Sequence, residues 1–245
     1  MRDLPDFALE VYLGEWEFAA KHHLTASDAQ TLTVAEVVGP EGMEELARLG
    51  LGYTPTWGGD ELRAAIAATY ETLAPEDVLV FAGAEEAMFW ALQALAGPGD
   101  HVVVTVPNYQ SMESLPVATG ADVSGLALRP EDGWALDVDA LEGLLRPATR
   151  LVAVNFPNNP TGALPDPATW ERLLALCAER GIRLFSDEVY RGLEPAGTGP
   201  LPQAADRSDT AVSLGVMSKA YGLPGLRIGW LASRDRALLA RLETR

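Results

Sequence analysis

Six short apolar runs cross the chain, at residues 78–82, 102–106, 151–155, 182–186, 211–215 and 228–232. Each is continuous rather than alternating, which is the pattern of a strand covered on both faces. Between them, at 60–73, 85–96, 138–145 and 167–180, apolar positions recur every three or four residues, the spacing of amphipathic helices. Asp166 and Pro167 form a helix start, a capping carboxylate followed by a residue whose missing N–H is not needed in the first turn. Gly181 stands where a left-handed cap would close the same helix. The alternation predicts a three-layer α/β domain, a mostly parallel sheet with helices on both faces. Gly197-Thr198-Gly199-Pro200 reads as a surface loop, and the chain carries no internal repeat.

Residues 1–50 depart from this rhythm. The stretch from Phe7 to Phe18 mixes apolar and acidic positions without a strand pattern, and an amphipathic helix fits it.

Composition narrows the picture. With 245 residues, 48% of them apolar, the chain can bury the core of one large domain or two small ones. A net charge of −17 argues against nucleic acid and anionic membranes as partners. Cys177 is the only cysteine, which excludes an internal disulfide and a cysteine-based metal cluster; it reads as a small core residue. His22, His23 and His101 match no catalytic or metal-ligand spacing, so no metal is expected. The first residues lack the basic flank and apolar run of a secretion signal, and no apolar stretch reaches bilayer length, so the cytoplasm is the expected compartment.

The chemistry gathers where the apolar runs end, the edge at which open α/β sheets bind ligands. Lys219 is one of two lysines in a chain whose basic residues are otherwise arginine. It follows the 211–215 run, within Ser218-Lys219-Ala220-Tyr221-Gly222, and a lysine can form a Schiff base where an arginine cannot. Gly83-Ala84-Glu85 joins a strand to a helix, and backbone N–H groups at such a start suit a phosphate. Asp187 ends the 182–186 run, with Glu188 and Tyr190 after it. Asn159-Pro160-Thr161-Gly162 follows the 151–155 run, and Pro107-Asn108-Tyr109 follows the 102–106 run. Taken singly, each has a plainer reading: Asp187 or Glu188 capping a turn, Tyr190 a core aromatic, Asn159 a turn asparagine, Tyr109 an exposed loop residue. No dinucleotide glycine motif, nucleophile elbow or P-loop is present.

Taken together, in this order, with Arg227 eight residues after Lys219, these segments resemble the class I/II aminotransferases. These are pyridoxal 5'-phosphate (PLP) enzymes of fold type I, and the likeness runs from about residue 51 to the end of the chain. The resemblance implies a PLP-dependent aminotransferase acting on an α-amino acid and a 2-oxo acid through a Schiff base on Lys219. It places Asp187 against the pyridine nitrogen, Tyr190 and Asn159 on the ring oxygen, and Tyr109 on the ring face. Gly83, Ala84, Glu85, Ser218 and Arg227 fall to the phosphate. Leu51-Gly52-Tyr53 is similar to the segment whose tyrosine reaches the phosphate of a neighbouring subunit, which implies a homodimer; a loop tyrosine is the other reading.

The chain departs from the family pattern in two places. Where ordinary members carry a substrate-binding Gly-x-Pro segment, residues 23–36 read differently and are more similar to the capreomycidine synthase-like branch, so elimination or cyclisation on the same cofactor stands as the alternative. The chain also ends soon after Arg227, so a small domain carrying the substrate's carboxylate anchor is expected to be absent. That leaves residues 1–50 as an arm or part of a small domain, and 51–245 as the PLP-binding large domain. An inactive fragment, or the sensing domain of a regulator, is the remaining reading.

Overall fold

The computed structural model describes residues 4–244. Nine helices and seven strands follow one another among them. The helices are α1 (Ala8–Trp16), α2 (Val34–Arg48), α3 (Asp60–Ala67), α4 (Ala84–Leu95), α5 (Ser111–Thr119), α6 (Val138–Leu144), α7 (Pro167–Glu179), α8 (Ala204–Arg207) and α9 (Arg236–Glu243). The strands are β1 (Val78–Phe81), β2 (His101–Val106), β3 (Asp122–Ala127), β4 (Thr149–Asn155), β5 (Arg183–Asp187), β6 (Ala211–Val216) and β7 (Gly229–Ala232). They form one sheet in the order β1-β7-β6-β5-β4-β2-β3. From β3 through β6 every pairing is parallel, while β7 runs antiparallel to both β6 and β1.

The four central strands are buried almost throughout, as their continuous apolar runs predict. Helices cover both faces. On one, α4 packs Ala87, Met88, Ala91 and Leu92 against Leu151, Phe185 and Leu214. On the other, α7 packs Trp170, Leu173 and Cys177 against Val152 and Leu184. Cys177 is therefore a core residue, and burial pushes its thiol up to about 12.

The predicted α7 start is made as expected: the Asp166 carboxylate accepts from Ala168 N at 2.9 Å and Thr169 N at 3.0 Å. Gly181 adopts φ 64° beyond the helix end. Two expectations shift. The 60–73 helix stops at Ala67, because the buried Asp206 carboxylate takes the amides of Glu71 and Thr72 at 2.9 Å each and turns the chain. Strand β3 has no continuous apolar run; it is an edge strand with only Leu126 buried.

The first fifty residues hold two helices, α1 and α2, joined by an irregular stretch over residues 17–33, and neither helix buries a side chain. Helix α2 opens with a reciprocal cap, Glu36 N donating to Thr33 Oγ1 at 3.3 Å and Thr33 N to Glu36 Oε2 at 2.8 Å. It kinks at Gly39-Pro40, where Gly39 takes φ 67°.

This difference in packing predicts a difference in stability. Asp166→Ala removes a cap on a core helix and lowers global stability by about 1 kcal/mol in urea unfolding. Thr33→Ala removes an equally good cap from a helix that buries nothing. It speeds amide hydrogen exchange in α2 while leaving the global midpoint unchanged.

Candidate active site

Because β7 is antiparallel, its beginning lies on the same sheet edge as the ends of β2, β4, β5 and β6. That edge collects Tyr109 after β2, Asn159 after β4, Asp187 and Tyr190 at β5, Lys219 after β6 and Arg227 before β7. The sheet's wiring thus brings together residues up to 118 positions apart in the chain, from Tyr109 to Arg227.

Asp187 is 3% exposed at the end of a central strand. Its carboxylate accepts one hydrogen bond among the described residues, from Val189 N at 3.1 Å. Burial pushes its carboxyl up to about 7, the Val189 amide pulls it back, and the nearby charges of Glu188 and Glu85 raise it further against a smaller opposing effect of Lys219. The neighbouring strand is tied to it. Asn155 pairs in register with Asp187 and donates from Nδ2 to its carbonyl at 3.1 Å. Asn155 Oδ1 then accepts from Asn159 N at 2.7 Å, which turns the loop after β4 back over the sheet edge. Asn159 Nδ2 donates to Tyr190 OH at 3.0 Å, so the two residues expected to share one acceptor are already in contact.

Lys219 Nζ lies 5.6 Å from the centre of the Tyr190 ring. It donates to Asp28 Oδ1 at 2.6 Å and Ser27 Oγ at 3.2 Å, while Tyr190 OH donates to Ser27 Oγ at 2.9 Å. The segment bearing Ser27 and Asp28 is anchored by Leu32 N to Gly222 O at 3.2 Å. Gly222 has φ 66°, and a Cβ there would come within 2.8 Å of Gln30 O, so the close crossing needs glycine.

At the start of α4, Gly83 takes φ 104°, and any side chain on it would collide with the Arg227 guanidinium. Ala84 opens the helix and presents its N-terminal amide. Arg227 itself has φ 54° and donates from Nη1 to Pro224 O at 3.1 Å, leaving the rest of its fork exposed near Gly83. Ser218 is half-buried beside Lys219. The Glu85 side chain does not face this group; Ser111 Oγ donates to it, so only its backbone belongs to the helix start. The Tyr109 ring lies 5.0 Å from Phe7, and its OH donates to Glu10 Oε1 at 3.0 Å. Tyr53 stands apart: it is wholly exposed and touches none of the others.

Four residues here escaped the sequence reading. Ser27, Asp28, Phe7 and Glu10 come from the first fifty residues, where no motif marked them. For Ser27 and Asp28 the one signal was that residues 23–36 depart from the family pattern; Phe7 and Glu10 fall in the stretch read only as an amphipathic helix.

A model of the family described as aminotransferase class I and II matches residues 22–244. Capreomycidine synthase of Streptomyces vinaceus is 40% identical over 231 residues, 93% of this chain and 59% of that protein. Arginine–pyruvate transaminase of Pseudomonas aeruginosa is 35% identical over 90% of this chain and 57% of its own length. A PLP-dependent aminotransferase from Streptococcus suis superposes with a TM-score of 0.92 at 31% identity, covering 99% of this chain and 66% of that one. Aspartate aminotransferase of Thermus thermophilus with maleate gives 0.86 at 27% identity. The chain spans less than three fifths of the length of these two curated relatives, 59% and 57%.

Asp187 makes the site's signature in stability. Between 3.8, its ordinary value, and about 7, the folded protein keeps a proton that the unfolded chain has released. The folded state binds more protons there, so stability is lost as pH rises through that window. Asp187→Asn lacks this slope. In urea unfolding of dialysed protein the variant gains on the parent by up to ~1.4 kcal/mol per pH unit across the window. Parallel stability curves for the two would contradict the assignment.

Proposed function

Because the chain belongs to the class I and II aminotransferases, with their fold type I large-domain architecture, we propose that it is a PLP-dependent aminotransferase acting on an α-amino acid and a 2-oxo acid. The observation that carries this reading is a buried carboxylate at the end of a central strand, beside a lysine and an Asn–Tyr pair.

The residues fit the cofactor. An acid shut away with one hydrogen bond needs a cation, and a protonated pyridine nitrogen supplies one. Asn159 and Tyr190 converge on a spot that suits the ring oxygen. The cup formed by Gly83, Ala84 and the backbone of Glu85, with Ser218 and the free part of the Arg227 fork, suits the phosphate; Gly83 leaves no side chain to fill it. Tyr109 provides an aromatic face.

When bound, PLP supplies an electron sink for the carbon next to the substrate's amine. The protein's share is holding, tuning and proton movement. Lys219 is the amine that would hold the cofactor's aldehyde carbon and the base that would move the substrate's α-proton. Asp187 would hold the proton on the ring nitrogen, and the Tyr190 and Asn159 donors would stabilise negative charge on the ring oxygen.

We further propose that the active protein is a homodimer in which Tyr53 serves the partner's phosphate site. Its complete exposure, with Leu51 at 98%, supports a covered face there. Residues 51–245 are then the PLP-binding domain and 1–50 an arm outside it. The compartment we infer is the cytoplasm, where an unpaired thiol such as Cys177 stays reduced.

A second reading keeps the cofactor and changes the outcome to elimination or cyclisation. It is favoured by the 40% identity to capreomycidine synthase and by Asp28, whose carboxylate meets Lys219 where ordinary members carry a different segment.

Incubation with PLP should turn the protein yellow, and borohydride should fix the cofactor on the peptide containing Lys219. Lys219→Ala should abolish both. Asp187→Ala should keep the covalent attachment and lower turnover by several orders of magnitude. Attachment at Lys21 would overturn the assignment.

A further inference from the structure

The amine of Lys219 has a charged partner that the functional reading above leaves without a task. Nζ donates to Asp28 Oδ1 at 2.6 Å, the shorter of its two hydrogen bonds. Asp28 is the one acid within ion-pair distance of it among the described residues. It comes from residues 23–36, the segment in which the chain departs from the family pattern.

An ion pair between two mobile surface side chains is worth little, because holding both in one geometry costs entropy. This pair is different on two counts. The Lys219 side chain is 21% exposed and that of Asp28 41%, so the contact is partly shielded from water. The backbone that carries Asp28 is also tied down on both sides of it. One residue before, Ser27 Oγ accepts from Lys219 Nζ at 3.2 Å and from Tyr190 OH at 2.9 Å. Four residues after, Leu32 N donates to Gly222 O at 3.2 Å, beside the crossing that requires glycine at 222. The carboxylate is thus fixed to Tyr190 and to the loop of Lys219 itself, and its place does not depend on the ion pair alone.

The other groups around Lys219 do not do what this carboxylate can. Asp187 is committed to the ring nitrogen in the reading above, where the proton it holds matches its charge. Asn159 and Tyr190 aim donors at the ring oxygen, and such donors weaken the charge that oxygen can offer a neighbouring N–H. The Tyr190 ring, 5.6 Å from Nζ, attracts a cation only modestly. An opposite charge close to a titrating nitrogen favours its protonated form. A nitrogen doubly bonded to carbon makes that carbon open to attack by an incoming amine when it carries a proton. We propose, on the basis of the PLP reading, that Asp28 is a further functional residue of the site: the fixed counter-ion of the Lys219 nitrogen, which keeps that nitrogen protonated while the cofactor is bonded to it.

The test follows the absorption spectrum of the 245-residue chain loaded with PLP as pH is raised. The protonated nitrogen gives the yellow, long-wavelength band and the neutral one a near-ultraviolet band, so the midpoint between them reports the proton without any turnover. Asp28→Asn keeps the size of the side chain and removes its charge. It should leave the cofactor fixed on Lys219 by borohydride and lower the midpoint by about one pH unit or more. Ser27→Ala removes a neutral partner of Lys219 and Tyr190 and leaves the charge in place, so it should move the midpoint far less. Both positions are exposed, so neither substitution opens a cavity in the core. With the cofactor on Lys219 in all three proteins, an unchanged midpoint in Asp28→Asn or an equal shift in Ser27→Ala would overturn the proposal and leave the PLP reading standing. Failure of the unaltered chain to take the cofactor on Lys219 would overturn that reading and this inference with it.

Discussion

The structure turns on one costly arrangement, a carboxylate buried at the end of a central parallel strand and paired with no cationic side chain among the described residues. Asp187 accepts from a single amide, and its carboxyl is pushed to about 7 by the surrounding core. Moving an acid out of water is unfavourable, and proteins retain such groups where a partner or a reaction uses them. Here the neighbouring elements are organised around it. The register that pairs Asn155 with Asp187 lets one asparagine hold both the Asp187 carbonyl and the Asn159 amide. The next strand over, β6, pairs Leu214 with Asp187 and delivers Lys219 to the same edge.

The reversed direction of β7 completes the edge. A seventh parallel strand would send Arg227 to the opposite end of the sheet. Running antiparallel, β7 pairs Gly229 with both Phe81 and Val216, and so brings Arg227 beside Gly83 and the loop of Lys219. The crowding at this junction explains its glycines: a side chain on residue 229 would strike the Gly83 backbone, and one on 83 would strike Arg227. Above the edge, Ser27 and Asp28 reach Lys219 and Tyr190 from a part of the chain that buries almost nothing of its own. The most ordered chemistry is thus met by the least packed segment.

What the sequence made legible follows from this division. Strands covered on both faces must be apolar throughout, so β1, β2, β4, β5, β6 and β7 stood out, and with them the loops that carry Tyr109, Asn159, Asp187 and Lys219. The cap at Asp166 and the turn at Gly181 were readable because they depend on local backbone chemistry. Strand β3 was not, since it buries only Leu126 and so carries no continuous apolar run. Nor was the role of Ser27 and Asp28, whose contacts with Lys219 span more than 190 residues and depend on a backbone crossing at Gly222.

The central claim is that the buried acid exists to hold a proton on a pyridine ring. The most direct measurement is the nitrogen NMR shift of PLP labelled with ¹⁵N in the ring and bound to the protein, followed from acid to alkaline pH. The account predicts a protonated-pyridine shift that persists well above the pH at which the free cofactor loses its ring proton, and its replacement by a neutral-pyridine shift in Asp187→Asn. A neutral ring nitrogen in the unaltered protein, or the same protonated shift in both proteins, would contradict it.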